Sequence, residues 1–278
     1  MPSVASILTG LLAFAAVLPA RGQTDPNLQH PNQIVTVAVE DHAISGLVMH
    51  LRDASAFKYG IVLFPGHPGI MRLREEGGMP RYELGGNFLV RSRRHWLDGE
   101  TLVVAVDAPS DQWAAFSQVF RETPRYGADV AALLREMTRR YEVEDWTFVG
   151  TSEGSVSAYH AARLNPGLAR RLILTASVFK ASRNGPGLSG VSWDPLPAPL
   201  LLWAHHEDDP CFYTPYGEAK RFAEASRSPL LTVRGGDPGR GNACQAQTAH
   251  GFVGMEKQTV EAMRAWVKSG AVLPEVSR

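Results

Sequence analysis

Cysteine is nearly missing from this chain. Two occur among 278 residues, Cys211 and Cys244, which excludes a disulfide framework and leaves either one bridge or two buried thiols. Neither stands near the N-terminus, so a lipid-bearing N-terminal cysteine is excluded as well. An excess of either charge is also missing. The 28 basic residues are balanced by 28 acidic ones, no arginine-rich or aromatic-basic stretch occurs, and nucleic acid is therefore not an expected partner. After residue 22 no apolar run approaches the roughly 20 residues of a membrane helix, and no stable membrane insertion is expected.

The first apolar segment has a different character. Ile7 to Leu18 is followed by Pro19 and by Ala20-Arg21-Gly22, small residues where a signal peptidase reads them. The segment predicts a signal peptide over 1–22, cleavage before Gln23, and secretion to the periplasm or the exterior, although only the terminal amine supplies positive charge ahead of the run. The remaining 23–278, in a chain with 44% hydrophobic content, is enough for one large core and reads as a single domain.

From Ile34 onward, short β-branched runs bounded by turn residues alternate with stretches of helical spacing, the pattern of an α/β sheet protein. Gln33 to Val39 and Ile44 to Leu51 read as an antiparallel hairpin at a sheet edge, and Tyr59 to Phe64 as the next strand. A Gly- and Arg-rich loop follows, then a helix near Asn87 to Leu97, a fully apolar strand at Thr101 to Val106 and a helix from about Tyr126 to Tyr141. Later strands are expected at Trp146 to Val149, Arg171 to Ala176, Leu200 to Ala204 and Leu230 to Val233. Helices are expected at Ser155 to Leu164, Tyr216 to Ala225 and Met255 to Lys268.

Gly150-Thr151-Ser152-Glu153-Gly154 sits where Thr147-Phe148-Val149 ends a strand and a small-residue helix begins. A nucleophilic serine needs such a turn, because the sharp reversal exposes its Oγ and the flanking glycines avoid steric conflict. A serine hydroxyl is a weak nucleophile at neutral pH, so a histidine must take its proton and a carboxylate must orient that histidine. Downstream, His205-His206-Glu207-Asp208-Asp209-Pro210 follows a strand, and Ala249-His250-Gly251-Phe252 follows the last one. His205, His206, Asp208 and Asp209 also admit a reading as metal ligands. Neighbouring residues at a strand end point in different directions, which weighs against it.

With these three segments in this order, the sequence resembles the α/β-hydrolase family from about Tyr59 to the last helix. The resemblance implies a mostly parallel central sheet with helices on both faces, Ser152 as nucleophile and His250 as its base. It places the acid on Asp209, with Asp208 a competitor because His206 replaces the family's usual glycine, and Glu207 a poorer one. It also implies an oxyanion hole formed by the backbone N–H groups of Glu153 and of His67, in Phe64-Pro65-Gly66-His67-Pro68-Gly69, where Pro65 replaces the usual histidine. A Cys211–Cys244 bridge would then tie the acid loop to the histidine loop.

Ser182 to Pro199, where the family often inserts a helical lid, is short and rich in Gly, Pro and Ser, so a minimal cap is expected. Phe179, Trp193, Phe212, Tyr213, Trp113 and Phe116 are candidates for an apolar pocket, each as readily core. Arg72, Arg74 and Arg81 are candidates for a substrate carboxylate, although Glu75, Glu76 and Glu83 favour a mixed solvated surface. The expected activity is hydrolysis of a small-molecule ester without metal or organic cofactor. A peptidase or amidase with the same residues, and a catalytically silent binding protein, are the alternatives.

Overall fold

The computed structural model describes residue 30, residues 32–191 and residues 200–278; the predicted signal segment and Trp193 lie outside them. Nine strands form one sheet. β1 (Asn32–Val39) and β2 (His42–Met49) make the edge hairpin, and β2 pairs antiparallel with β6 (Thr101–Val106). From β6 the sheet is parallel through β3 (Tyr59–Phe64), β7 (Asp145–Thr151), β8 (Ala169–Thr175), β9 (Leu200–His206), β10 (Leu230–Val233) and β11 (Glu275–Val276).

β3 and β6 are buried along their whole length because both faces of the sheet are covered there. Val62 and Phe64 of β3 pack with Val130, Leu133 and Leu134 of α3 (Pro124–Tyr141), Val156 and Tyr159 of α4 (Glu153–Leu164) and Phe222 of α5 (Tyr216–Ala225). Ile61 and Leu63 face the other way, toward Phe88 and Leu89 of α1 (Phe88–Ser92) and Val260, Met263 and Trp266 of α6 (Glu256–Ser269). No helix among the described residues is long and apolar enough to cross a membrane.

Three local expectations are revised. The helix expected over Asn87 to Leu97 is α for one turn only. Asn87 caps it through a hydrogen bond from Leu89 N–H, and Arg93–Trp96 then tightens to a 3-10 turn. The Gly- and Arg-rich loop holds a two-stranded hairpin, β4 (Arg74–Glu76) with β5 (Met79–Arg81), and a short helix α2 (Gln118–Arg121) precedes α3. Between β8 and residue 191 the described chain forms turns and no helix. The parallel order brings the C-terminal ends of β3, β7 and β9 to one side of the sheet, where the candidate residues gather.

Candidate active site

Ser152 stands between β7 and α4, as the residue that precedes the helix, with φ 54° and ψ −127°. A non-glycine residue held there carries strain on the order of 1–3 kcal/mol, which persists only where neighbours impose it. They do so here by close packing. A Cβ on Gly150 would strike the Gly154 carbonyl, and one on Gly154 would strike the Phe64 carbonyl of β3. The Ser152 carbonyl accepts from Ser155 N–H at 2.9 Å and Ser155 Oγ at 2.6 Å, which fixes the first turn of α4.

His250 sits in a single 3-10 turn whose start is capped by Thr248, with Oγ1 accepting from His250 N–H at 3.2 Å. Gly251 packs so closely on the Ala246 carbonyl that no side chain fits. Phe252, at φ 58°, turns the chain into the core against Phe88, 4.6 Å between ring centres. From α1, Arg91 donates to the Gly251 carbonyl at 2.6 Å and pairs with Glu256 at 2.8 Å, holding the histidine loop from outside.

The carboxylate that meets His250 is Asp209. Its Oδ2 lies 3.0 Å from His250 Nδ1 and its side chain is wholly buried, whereas Asp208 is exposed. Asp209 Oδ1 accepts from Cys211 N–H at 2.9 Å. His206, the departure from the family's glycine, braces this turn: Nδ1 accepts from Asp208 N–H at 3.1 Å and Nε2–H donates to the Gly235 carbonyl at 2.8 Å. His205 points elsewhere, Nε2 accepting from Ser177 N–H at 3.1 Å, and burial pushes its pKa down to about 3. Each of the two histidines thus has its own structural task, which removes the support for the metal-ligand reading.

Sequence reasoning missed Thr214. Its hydroxyl donates to Asp209 Oδ2 at 2.7 Å and lies 3.1 Å from His250 Nδ1, bridging the carboxylate and the imidazole. The Cys211–Cys244 disulfide is formed and joins the loop after β9 to the loop before His250.

Ser152 and His250 line one hollow of about 310 Å³, together with Gly66, His67, Asn87 and Phe88. Their side chains are not hydrogen-bonded to each other. A second hollow, about 460 Å³, adjoins Ser152 on the other side, with His67, Glu153, Val178, Arg183, Asn184 and Tyr213 in its walls. The backbone N–H groups of His67 and Glu153 make no hydrogen bond among the described residues, and both residues border Ser152.

The side chains of these two residues are also joined. Glu153 Oε2 is 3.1 Å from His67 Nδ1, Oε1 accepts from Asn184 Nδ2 at 2.6 Å, and the fully buried Arg121 lies 3.7 Å away. Burial acts to raise the Glu153 pKa, but the His67 hydrogen bond, the Arg121 charge and the Asn184 amide outweigh it, and the net direction is down. Arg121 donates to the carbonyls of Pro68 and Phe116 at 2.9 and 3.0 Å and to Ser157 Oγ at 2.7 Å, so one cation ties the loop after β3 to α4. The His67–Pro68 peptide is cis. Beyond it, buried Asp107 accepts from Met71, Leu73 and Ala108 N–H at 2.6, 2.8 and 2.8 Å; burial nevertheless pushes its pKa up to about 6.

Of the aromatic candidates, Tyr213 borders the second hollow. Phe212 is exposed, with the Lys180 ammonium 3.9 Å from its ring centre. Phe179 is core, stacked on Phe222 at 4.7 Å, Phe116 lies under the Arg121 guanidinium, and Trp113 donates to the Ala108 carbonyl.

No protein-family model matches the sequence, and no curated protein matches it. Solved structures do. Est1E from Butyrivibrio proteoclasticus superposes with a TM-score of 0.56 at 12% identity, over 84% of this chain and 97% of its own. Dienelactone hydrolase from Anabaena variabilis gives 0.55 at 10% identity, over 86% and 98%. An α/β serine hydrolase homologue from Coxiella burnetii gives 0.53 at 12%, over 86% and 97%. The chain has the α/β-hydrolase fold. Within that fold Ser152 occupies the strand-to-helix elbow, and Asp209 and His250 follow it on loops at the same end of the sheet.

Proposed function

We propose that this α/β-hydrolase-fold protein is a serine hydrolase that cleaves carboxylic esters through an acyl-enzyme. The observation that carries the reading is the strained Ser152 sharing a hollow with a histidine whose far nitrogen is held by a buried aspartate. Ser152 Oγ attacks the ester carbonyl carbon while its proton passes to His250 Nε2. Asp209, on Nδ1, fixes the ring and stabilises the imidazolium. Negative charge developing on the carbonyl oxygen falls to the His67 and Glu153 amides, each such donor being worth about 2.7–4 kcal/mol of transition-state stabilisation. Collapse expels the alcohol, which takes the proton from His250. A water molecule then repeats the sequence to release the acid and free Ser152.

Neighbours described as a serine hydrolase homologue and a dienelactone hydrolase are consistent with this chemistry. The disulfide supports an oxidising compartment and, with the N-terminal segment, secretion. A fluorophosphonate probe is expected to label the purified protein, with no labelling of Ser152→Ala; a correctly folded wild type left unlabelled overturns the reading. Turnover of short p-nitrophenyl esters well above that of aminoacyl amides separates esterase from peptidase.

A further inference from the structure

The hollow on the Glu153 side of Ser152 has one apolar wall, from Val178, Tyr213 and the disulfide, and one polar wall, from Ser182, Arg183 and Asn184. The polar wall is a tight turn. Ser182 and Gly185 exchange backbone hydrogen bonds of 2.8 and 3.1 Å, Asn184 N–H donates to Ser182 Oγ, and the Asn184 carbonyl accepts from Gln118 N–H at 3.2 Å. The Asn184 amide, 2.6 Å from Glu153 Oε1, docks the turn on the residue next to the nucleophile. Ser182, Asn184 and Gly185 therefore do the structural work. Arg183, between them, is exposed, and its side chain makes no hydrogen bond or ion pair among the described residues.

The charges around this hollow are unequally compensated. Glu153 is paired from three directions, by Arg121, His67 and Asn184, so its charge is drawn away from the opening. Arg183 has no counter-charge among the described residues. Arg72, Arg74 and Arg81, weighed above for the same purpose, are engaged with Glu83 at 2.6 Å and with Glu76 at 2.7 and 3.8 Å. A guanidinium presents a planar fork of donors that fits a carboxylate and is weakly hydrated, which suits it to reading an anion at the edge of a cleft.

We propose that the substrate of Ser152 is an ester that carries a carboxylate on its acyl or its alcohol part, and that Arg183 binds this carboxylate in the hollow beside Glu153. The proposal rests on the serine-hydrolase reading and names its substrate class. The apolar wall takes the carbon chain between the two functional groups, and the rigid turn sets how far the carboxylate stands from the scissile bond.

Two ester pairs test it, each rate normalised to hydroxide-catalysed hydrolysis. p-Nitrophenyl hydrogen glutarate against p-nitrophenyl methyl glutarate places the carboxylate on the acyl side; p-carboxyphenyl butyrate against its methyl ester places it on the alcohol side. One pair is expected to favour the charged member about tenfold in kcat/KM, mainly through KM, with the preference shrinking at about 0.5 M salt. Arg183→Gln should bring the ratio near one, and Arg183→Lys should restore part of it. Equal rates within both pairs, from wild type that a fluorophosphonate labels at Ser152, overturn the proposal and leave the hydrolase reading standing. So does a preference unchanged in Arg183→Gln. Folded wild type that is not labelled overturns both.

Discussion

Thr214 has no reactive group of its own, yet its hydroxyl touches both Asp209 Oδ2 and His250 Nδ1. It limits how far the imidazole can turn when it becomes charged. Thr214→Val keeps the shape and removes that bridge, leaving the carboxylate one donor short, a change worth on the order of 1–3 kcal/mol at a buried site. The expected outcome is a kcat lower by roughly tenfold with little change in KM; an unaltered kcat would show that Asp209 and the loops suffice to hold the ring. Nothing in the sequence around Thr214 marks it. Ser152 and His250 stand in short strings whose spacing is itself a signal, whereas Thr214 acts across 36 residues and Arg121 across 32, and a lone polar residue carries no periodicity that announces such a partner. The choice between Asp209 and Asp208 was open in the sequence for the same reason. It depends on where His206 sends its ring nitrogens, which only the folded turn decides.

Among elements, the strands of the parallel sheet were readable because burial on both faces leaves an uninterrupted apolar run. The β4–β5 hairpin was not, since Arg74, Glu75 and Glu76 alternate with nothing apolar and are all exposed. α1 is shorter than its sequence suggests because Arg93 and Trp96 are wholly buried in a tightened turn. The one covalent cross-link between loops at the C-terminal edge is Cys211–Cys244, which spans 33 residues. In the chain-entropy account a loop of that size contributes about 3–4 kcal/mol. Cys244→Ser, or reduction, is expected to lower the melting temperature and, by loosening the acid loop against the histidine loop, to lower kcat. Activity and melting both unchanged would mean that the loops are set by their hydrogen bonds alone.

At the scale of the whole molecule, acid stability depends on histidines that fold neutral. Burial pushes His160 down to about 4 and His205 down to about 3. Both are lowered relative to the unfolded chain, so unfolded molecules bind more protons below about pH 6.5, and stability falls as the pH drops through that range. Asp107, raised to about 6, opposes them: its contribution is present at low pH and is lost as pH rises through 6. His160→Gln isolates one member of this balance, because His160 Nε2 is buried without a hydrogen bond. Between about pH 7 and pH 4 the variant should retain on the order of 2 kcal/mol of unfolding free energy that wild type loses. Parallel denaturant curves at both pH values, with no divergence between the two proteins, would refute this. The disulfide also decides what a protease can do. The exposed stretch from Asp237 past Arg240 to Ala243 holds the readiest sites of attack, and any cut between Cys211 and Cys244 yields two chains that stay bonded, with Asp209 on one and His250 on the other. Such a nicked molecule would migrate as a single species until a reducing agent separates the fragment that carries Asp209 from the one that carries His250.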